Sequence, residues 1–253
     1  MTTTEDHVAA VALADLAGER LLQVRHEVQR QGITGREAKD IGDAASQEVL
    51  AAALAERFPQ DAVLSEEATD DRGRLEAERV WIIDPLDGTR EFSEFERDDW
   101  AVHVALWQHG ELTAGAVALP ARGVTYGSAD AYAPEPSTNG LGLRLAVSRS
   151  RPPEFVTALA QRLSATLVPM GSAGVKAMSV VAGLSDAYIH GGGQYEWDSA
   201  APVAVARAAG LYTSRLDGSP LLYNNENPWL PDLIVCHERH AEKLLREISD
   251  IST

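Results

Sequence analysis

Apolar residues recur at helical spacing near the start of the chain. Val8, Val11, Leu13, Leu16, Leu21, Leu22 and Val24 predict a helix over residues 5–31. A polar, glycine-containing stretch at 32–42 reads as a connection, and Val49, Leu50 and Leu54 mark one face of a second helix at 43–58. Pro59-Gln60-Asp61 breaks that helix, a short strand follows at 62–64, and the apolar run 80–83 predicts another. Residues 100–107, 113–120 and 124–128 read as three antiparallel strands, with turns at Gly110 and Arg122-Gly123. Residues 132–142 are rich in Pro, Ser, Gly and Asn, and place a domain boundary near 140. Beyond it, strands at 143–147, 166–169 and 187–190 alternate with helices at 153–163, 175–182 and 198–209. This alternation predicts an α+β half at 1–140, followed by an α/β half at 141–253.

The run Asp84-Pro85-Leu86-Asp87-Gly88-Thr89 carries the densest chemistry. Pro85 fixes its own φ and disfavours helix at Asp84, so the strand is expected to end at Asp84 and turn at once. Such a turn aims two carboxylates and the Leu86 carbonyl at one point, the oxygen donor set of a hard divalent cation. Gly88 permits close approach of the backbone to a ligand, and Thr89 can open a helix whose free N–H groups attract phosphate. The plainer reading is a strand-to-helix turn with capping residues. Two further acidic points lie apart in sequence. Glu66-Glu67 follow the strand at 62–64, either as a solvated pair or as carboxylates facing the turn. Asp198 occupies the expected N-cap of the 198–209 helix, either as a cap alone or as a cap that also holds a metal. Together the three points suit metal-assisted phosphate chemistry, with Glu66, Asp84, Asp87 and Asp198 for the ions and Thr89 with Asp43 for the attacking water.

Composition narrows the class. The chain has 253 residues, 45% hydrophobic and 24% charged, with a formal net charge of −16. That acidity argues against broad nucleic-acid binding, and bound Mg²⁺ would supply the local positive centre that an anionic substrate needs. No apolar run is long enough to span a bilayer, and the polar, acidic start is unlike a secretory signal, so cytoplasmic residence is expected. The single cysteine, Cys236, excludes an intramolecular disulfide framework and falls in an apolar run read as a buried strand.

The segment 81–89 resembles the signature of the inositol monophosphatase superfamily. Leu64-Ser65-Glu66-Glu67 and Trp197-Asp198-Ser199-Ala200-Ala201 are similar to its other two metal motifs, in the same order, so the resemblance covers nearly the whole chain. Within it, Arg90-Glu91-Phe92 and the segments 171–178 and 217–224 are most similar to CysQ-type 3'(2'),5'-bisphosphate nucleotidases of the actinobacterial type. The resemblance implies a layered αβαβα sandwich of the inositol monophosphatase and fructose-1,6-bisphosphatase type. It also implies two or three Mg²⁺ ions. Glu66, Asp84 and the Leu86 carbonyl would hold one, Asp84, Asp87 and Asp198 a second, and Glu66 would assist a third. Gly88 and Thr89 would bind the scissile phosphate, and Thr89 with Asp43 would activate water. The family's hydroxyl residue shortly before that aspartate is missing here, where the chain reads Lys39-Asp40-Ile41-Gly42-Asp43.

The activity implied is Mg²⁺-dependent removal of the 3'-phosphate of adenosine 3',5'-bisphosphate by direct attack of metal-activated water, sensitive to Li⁺ and placed in sulfate assimilation. Arg149, Lys176 and His190 are candidates for the second phosphate. The stretch Gly191-Gly192-Gly193-Gln194-Tyr195, with Glu196, is a candidate loop beside sugar or base. Trp197 and His103 read as packing residues. Inositol 1-phosphate and fructose 1,6-bisphosphate phosphatases share the metal motifs and remain alternatives, as do a silent phosphate-binding protein and a two-carboxylate glycosidase. A homodimer is a family expectation.

Overall fold

The computed structural model describes residues 4–135 and 142–252. Two helices, α1 (Thr4–Arg30) and α2 (Gly35–Arg57), precede a five-stranded sheet. Its strands are β1 (Ala62–Ser65), β2 (Arg79–Asp87), β3 (Ala101–Gln108), β4 (Glu111–Leu119) and β5 (Val124–Gly127), in that spatial order. β1 and β2 are parallel and the remaining pairs antiparallel. A short helix, α3 (Thr89–Ser93), follows β2. The second half contributes β6 (Arg144–Ser148), α4 (Glu154–Leu163), β7 (Thr166–Met170), α5 (Ala173–Val181), β8 (Ala187–Tyr195), α6 (Glu196–Ala208), β9 (Tyr212–Ser214), β10 (Trp229–Cys236) and α7 (Glu238–Ser252). Its sheet runs β7-β6-β8-β10-β9. The expected boundary at 140/141 lies outside the described residues.

Both sheets are covered on both faces, and alternation along each strand sorts the side chains between layers. Trp81 and Ile83 of β2 join Leu13, Leu21 and Leu50 of α1 and α2. Val80 and Ile82 turn the other way and join Val175, Met178, Val203 and Val205 of α5 and α6. The same middle layer takes Tyr188, Leu233 and Val235 of the second sheet. Leu145, Ile189 and Ile234 face the outer helices α4 and α7. The fold is therefore a layered αβαβα sandwich, as the resemblance implied.

Several local expectations change. Helix α2 begins at Gly35, so most of the predicted connection is helical and Asp43 lies mid-helix. Gly42 is there for contact: a Cβ would come within 2.7 Å of Phe92 and 2.9 Å of Leu86. On α1 the buried stripe runs through Ala9, Ala10, Leu13, Ala14, Ala17, Leu21, Val24 and Val28, while Val8, Leu16 and Leu22 are exposed. Small residues let α1 lie close to its neighbours, which periodicity of large side chains alone misses. β2 continues to Asp87, and β8 runs through the glycines to Tyr195 by pairing with β10. The predicted loop at 191–195 is therefore strand. Residues 136–141 of the predicted loop at 132–142 lie outside the described residues.

Helix α6 meets the first sheet at Gly115, where a Cβ would stand 2.6 Å from Ala204 Cβ. Gly115→Val should overpack this contact and destabilise the fold by about 1–3 kcal/mol, read as a lowered urea midpoint at unchanged slope.

Candidate active site

Three chain segments deliver carboxylates to one place. β1 ends at Ser65, whose hydroxyl donates to Gln47 Oε1 at 2.7 Å, and Glu66 follows in the cleft wall. On β2, Asp84 pairs with His103 and Asp87 with Ala101. Three steps on one strand thus match two on the other. This bulge inserts one extra residue and brings Asp84 and Asp87 to the same side of the sheet, where strict alternation would separate them. The turn is held from within, because Leu86 N–H donates to Asp84 Oδ1 at 3.0 Å. It is also held by α2, whose Ser46 hydroxyl donates to the Pro85 carbonyl at 2.6 Å. Gly88 then adopts φ +86°, and a Cβ there would crowd Ser172 and Trp100 at 3.1–3.3 Å.

The third carboxylate comes from α6. Its N-cap is Tyr195 rather than Asp198, because Asp198 sits one turn inside. From there it accepts the Tyr195 N–H at 2.6 Å and still points into the cleft. One oxygen from each of Asp84, Asp87 and Asp198 falls in a cluster with all separations within 4.8 Å.

His103 organises this cluster, although its place in a strand predicted packing. It is fully buried, with Nδ1 3.1 Å from the Trp197 carbonyl. A carbonyl can only accept, so Nδ1 carries the proton. Nε2 stands 3.2 Å from Asp87 Oδ2. The same oxygen accepts the Ser172 hydroxyl and, at 2.7 Å, the Gly174 N–H. All these contacts use Oδ2 of Asp87. Gly174 must be glycine, since a Cβ would overlap His103 Nε2 at 2.1 Å.

Crowding of like charge shows in the proton affinities. Burial and then Asp198 and Asp87 push Glu66 up to about 7. Burial and then Glu66 hold Asp84 well above the carboxylate range. Asp198 rises to about 6 through burial and then the Asp87 charge. For Asp87, burial acts upward, but His103, Lys176 and Ser172 outweigh it and hold the carboxyl low. Asp43 reaches about 7, through burial first and then Glu67 and Glu66. An all-oxygen set with raised proton affinities is what a hard divalent cation would displace protons from.

A cavity of about 470 Å³ opens above the cluster and is lined by Glu66, Asp87, Gly88, Thr89, Lys176, His190, Tyr195 and Asp198, among others. Asp84 and Leu86 lie buried in the turn beneath it. A second lobe of about 350 Å³ shares Ser148, Arg151, Lys176, Tyr188, His190 and Gly193 with the first, so the two form one cleft. Lys176 is nearly sealed. Its Nζ donates to the carbonyls of Gly171 and, at 2.7 Å, Ser172, and burial lowers its pKa against the pull of Asp87. His190 Nε2 lies 3.0 Å from the Gly193 carbonyl. Tyr195 stacks on Trp197 at 4.7 Å.

Besides Asp84 and Leu86, three predicted residues do not line the cavity: Arg149, Glu196 and Asp43. Arg149 is spent on Glu91 Oε1 at 2.8 Å and Glu94 Oε2 at 2.6 Å. Glu196 is completely buried and accepts from Asn224 and Asn225. Asp43 stands half-buried on α2, one residue from Gly42 and three from Ser46, both of which touch the turn. Sequence reasoning missed Ser46, Ser172 and Arg151. The basic run Ser148-Arg149-Ser150-Arg151 held the signal for Arg151, but not which arginine would face the cleft.

The inositol monophosphatase family profile matches residues 3–253. The chain belongs to the inositol monophosphatase family. A Mycobacterium leprae protein named 3'-phosphoadenosine 5'-phosphate phosphatase is 50% identical over 257 aligned positions, covering 97% of this chain and 94% of that protein. A Mycobacterium bovis protein of the same name is 52% identical over 248 residues, covering 92% and 90%. Among solved structures, CysQ from Bacteroides thetaiotaomicron, a bacterial member of the family, matches with a TM-score of 0.78 at 27% identity, over 93% of this chain and 98% of that one. The family is one of metal-dependent phosphatases, and Asp84, Asp87 and Asp198 form an acidic cluster that could bind a metal ion.

The raised pKa values give this family member a defined pH behaviour without metal. Glu66 and Asp198 bind protons more tightly folded than unfolded. Their stabilising contribution is therefore full near pH 4 and below, and is lost as pH rises through about 6 to 7. The melting temperature in EDTA should fall between pH 5.5 and pH 8, and the upward shift produced by Mg²⁺ should grow over the same interval. Thermal melts with and without Mg²⁺ at both pH values check this, and a metal shift that shrinks with pH contradicts it.

Proposed function

We propose that this chain is a Mg²⁺-dependent phosphomonoesterase that removes the 3'-phosphate of adenosine 3',5'-bisphosphate, giving AMP and phosphate. One observation carries the reading: a two-lobed cleft with the carboxylate cluster in one lobe and Arg151, Lys176 and His190 where the two lobes meet. Half-identity to proteins named for 3'-phosphoadenosine 5'-phosphate supports the choice of nucleotide.

Glu66, Asp84, Asp87 and Asp198 would hold the cations. When bound, these supply Lewis-acid charge that acidifies water and offsets charge building on the phosphoryl oxygens. The chain's own residues do the rest. Gly88 and Thr89, in the cavity wall, present N–H groups and a hydroxyl to the scissile phosphate. Asp43, with its pKa near 7, is suited to take a proton from the attacking water at neutral pH. His103, Ser172 and Gly174 fix the Asp87 carboxylate so that it need not reorganise during turnover. Cys236 is excluded as a nucleophile: burial raises its thiol to about 12.

For the second phosphate, Arg151 replaces Arg149 as the cationic partner, beside Lys176 and His190. Its guanidinium lines both lobes, and among the described residues no carboxylate comes within 4.0 Å of it. Tyr195, exposed at the mouth and backed by Trp197, offers a flat face for the base.

Phosphate release with Mg²⁺ should favour adenosine 3',5'-bisphosphate over inositol 1-phosphate and fructose 1,6-bisphosphate in kcat/KM and should be quenched by Li⁺. Preference for a sugar or inositol phosphate overturns the substrate assignment. Arg151→Met should lower kcat/KM for the bisphosphate roughly tenfold to a hundredfold, as for loss of one charge-assisted hydrogen bond. The same change should leave 3'-AMP hydrolysis within about threefold, since that substrate lacks the second phosphate. An equal loss on both substrates removes Arg151 from the second-phosphate site.

A further inference from the structure

A polar network centred on buried Arg74, Asn224 and Glu196 lies outside the cleft and connects two of the segments that supply carboxylates to it. Arg74, in the 3₁₀ turn Arg72–Glu76, follows the Glu66 segment, and its side chain has no exposure. Its guanidinium makes four hydrogen bonds. Nε and Nη2 fork onto Asp70 at 2.7 and 3.1 Å, Nη1 donates to Asn224 Oδ1 at 2.6 Å, and Nη2 also reaches the Asn225 carbonyl at 2.9 Å. Asn224 returns a bond from Nδ2 to the Arg74 carbonyl at 3.2 Å and holds a left-handed backbone, φ +62°.

From the far side of this turn the network passes into α6. Asn224 N–H, Asn225 N–H and Asn225 Nδ2 donate to the Glu196 carboxylate at 2.7, 2.9 and 2.8 Å. Glu196 is the first residue of α6, fully buried, and its own N–H is bound to the Pro228 carbonyl at 2.8 Å. Two residues later, in the same helical turn, stands Asp198. Three donors on one carboxylate fix both the depth and the rotation of that turn, and hence the direction of Asp198.

We propose that Arg74 and Glu196 are positioning residues for the metal centre. The network sets the separation of the Glu66-bearing and Asp198-bearing segments, so cation affinity depends on two residues that do not touch the cation. The need for it is electrostatic: Glu66 and Asp198 line the same cavity and repel when both are ionised. A cation site recruits both only if something other than their own interaction holds them together. The Arg74–Asn224–Asn225–Glu196 chain does so with bonds that each half of the molecule supplies in part.

The inference rests on the metal-centre reading, and Mn²⁺ titration followed by electron paramagnetic resonance separates the two. Wild-type protein should bind Mn²⁺, and failure to bind overturns the metal centre and this inference with it. Given wild-type binding, Arg74→Met and Glu196→Gln should each weaken Mn²⁺ affinity at least about tenfold, the usual effect of removing a group that orients a ligand. The double variant should be little worse than either single one, because both break the same chain. Saturating metal should restore much of kcat. Should those variants fail to fold, Asn225→Ala, which deletes a single donor to Glu196, carries the test with a smaller loss of several-fold. A lowered melting temperature with unchanged Mn²⁺ affinity in folded variants overturns the proposal and leaves the network as a fold-stabilising contact only.

Discussion

Carboxylates that repel one another must be held together before any cation arrives. At 4 Å and an effective dielectric near 20, two unit charges oppose each other by about 4 kcal/mol. Asp84, Asp87 and Asp198 come within 4.8 Å, with Glu66 close enough to share a hydrogen bond with Asp84. The surrounding architecture answers that repulsion. His103, the Ser172 hydroxyl and the Gly174 N–H surround one oxygen of Asp87. Glu66 and Asp198 are raised to about 7 and about 6, and Asp84 is held well above the carboxylate range, so their charge is reduced. The bond from Ser46 and the internal bond from Leu86 stiffen the turn.

The position of the site follows from the middle layer. Helices α5 and α6 pack between the two sheets and share one hydrophobic cluster with both. Their N-terminal ends face the end of β2, so Ser172, Lys176 and Asp198 arrive where the bulged strand presents Asp84 and Asp87. Close contacts at glycine set this spacing: Gly115 against Ala204, Gly174 against His103, and Gly42 against Phe92. Along the rim, Arg149 ties the second half to Glu91 and Glu94, and Asp99 accepts the Gly171 N–H at 2.6 Å. The acidic chain thus uses several of its arginines to join segments, whereas Arg151 lines the cleft.

Asp84, Asp87, Glu66 and Asp198 were legible in the sequence because each sits in a short motif whose local chemistry is distinctive. A proline-enforced turn between two aspartates, a pair of glutamates after a strand, and an aspartate opening a small-residue helix are local statements. Strand alternation and helical periodicity likewise predicted most elements, and the layering was implied by the family resemblance. The misreadings share a cause. Gly42 read as a break and is a contact point inside α2. Gly191 to Gly193 read as a loop and are strand, because β10 supplies a partner. Arg149 read as a phosphate ligand and is claimed by two glutamates more than fifty residues away.

The sequence by itself therefore singled out the carboxylates that gather at the cleft, since donor type, turn preference and periodicity are properties of neighbouring residues. Only the tertiary structure decided which cations are free, which polar residues are sealed, and how the carboxylates share one side of a strand. Those outcomes depend on pairing between distant segments. The bulge opposite His103, the burial of Glu196 beneath Asn224 and Asn225, and the approach of α6 to Gly115 each need two parts of the chain to meet. No local pattern in either part specifies its partner.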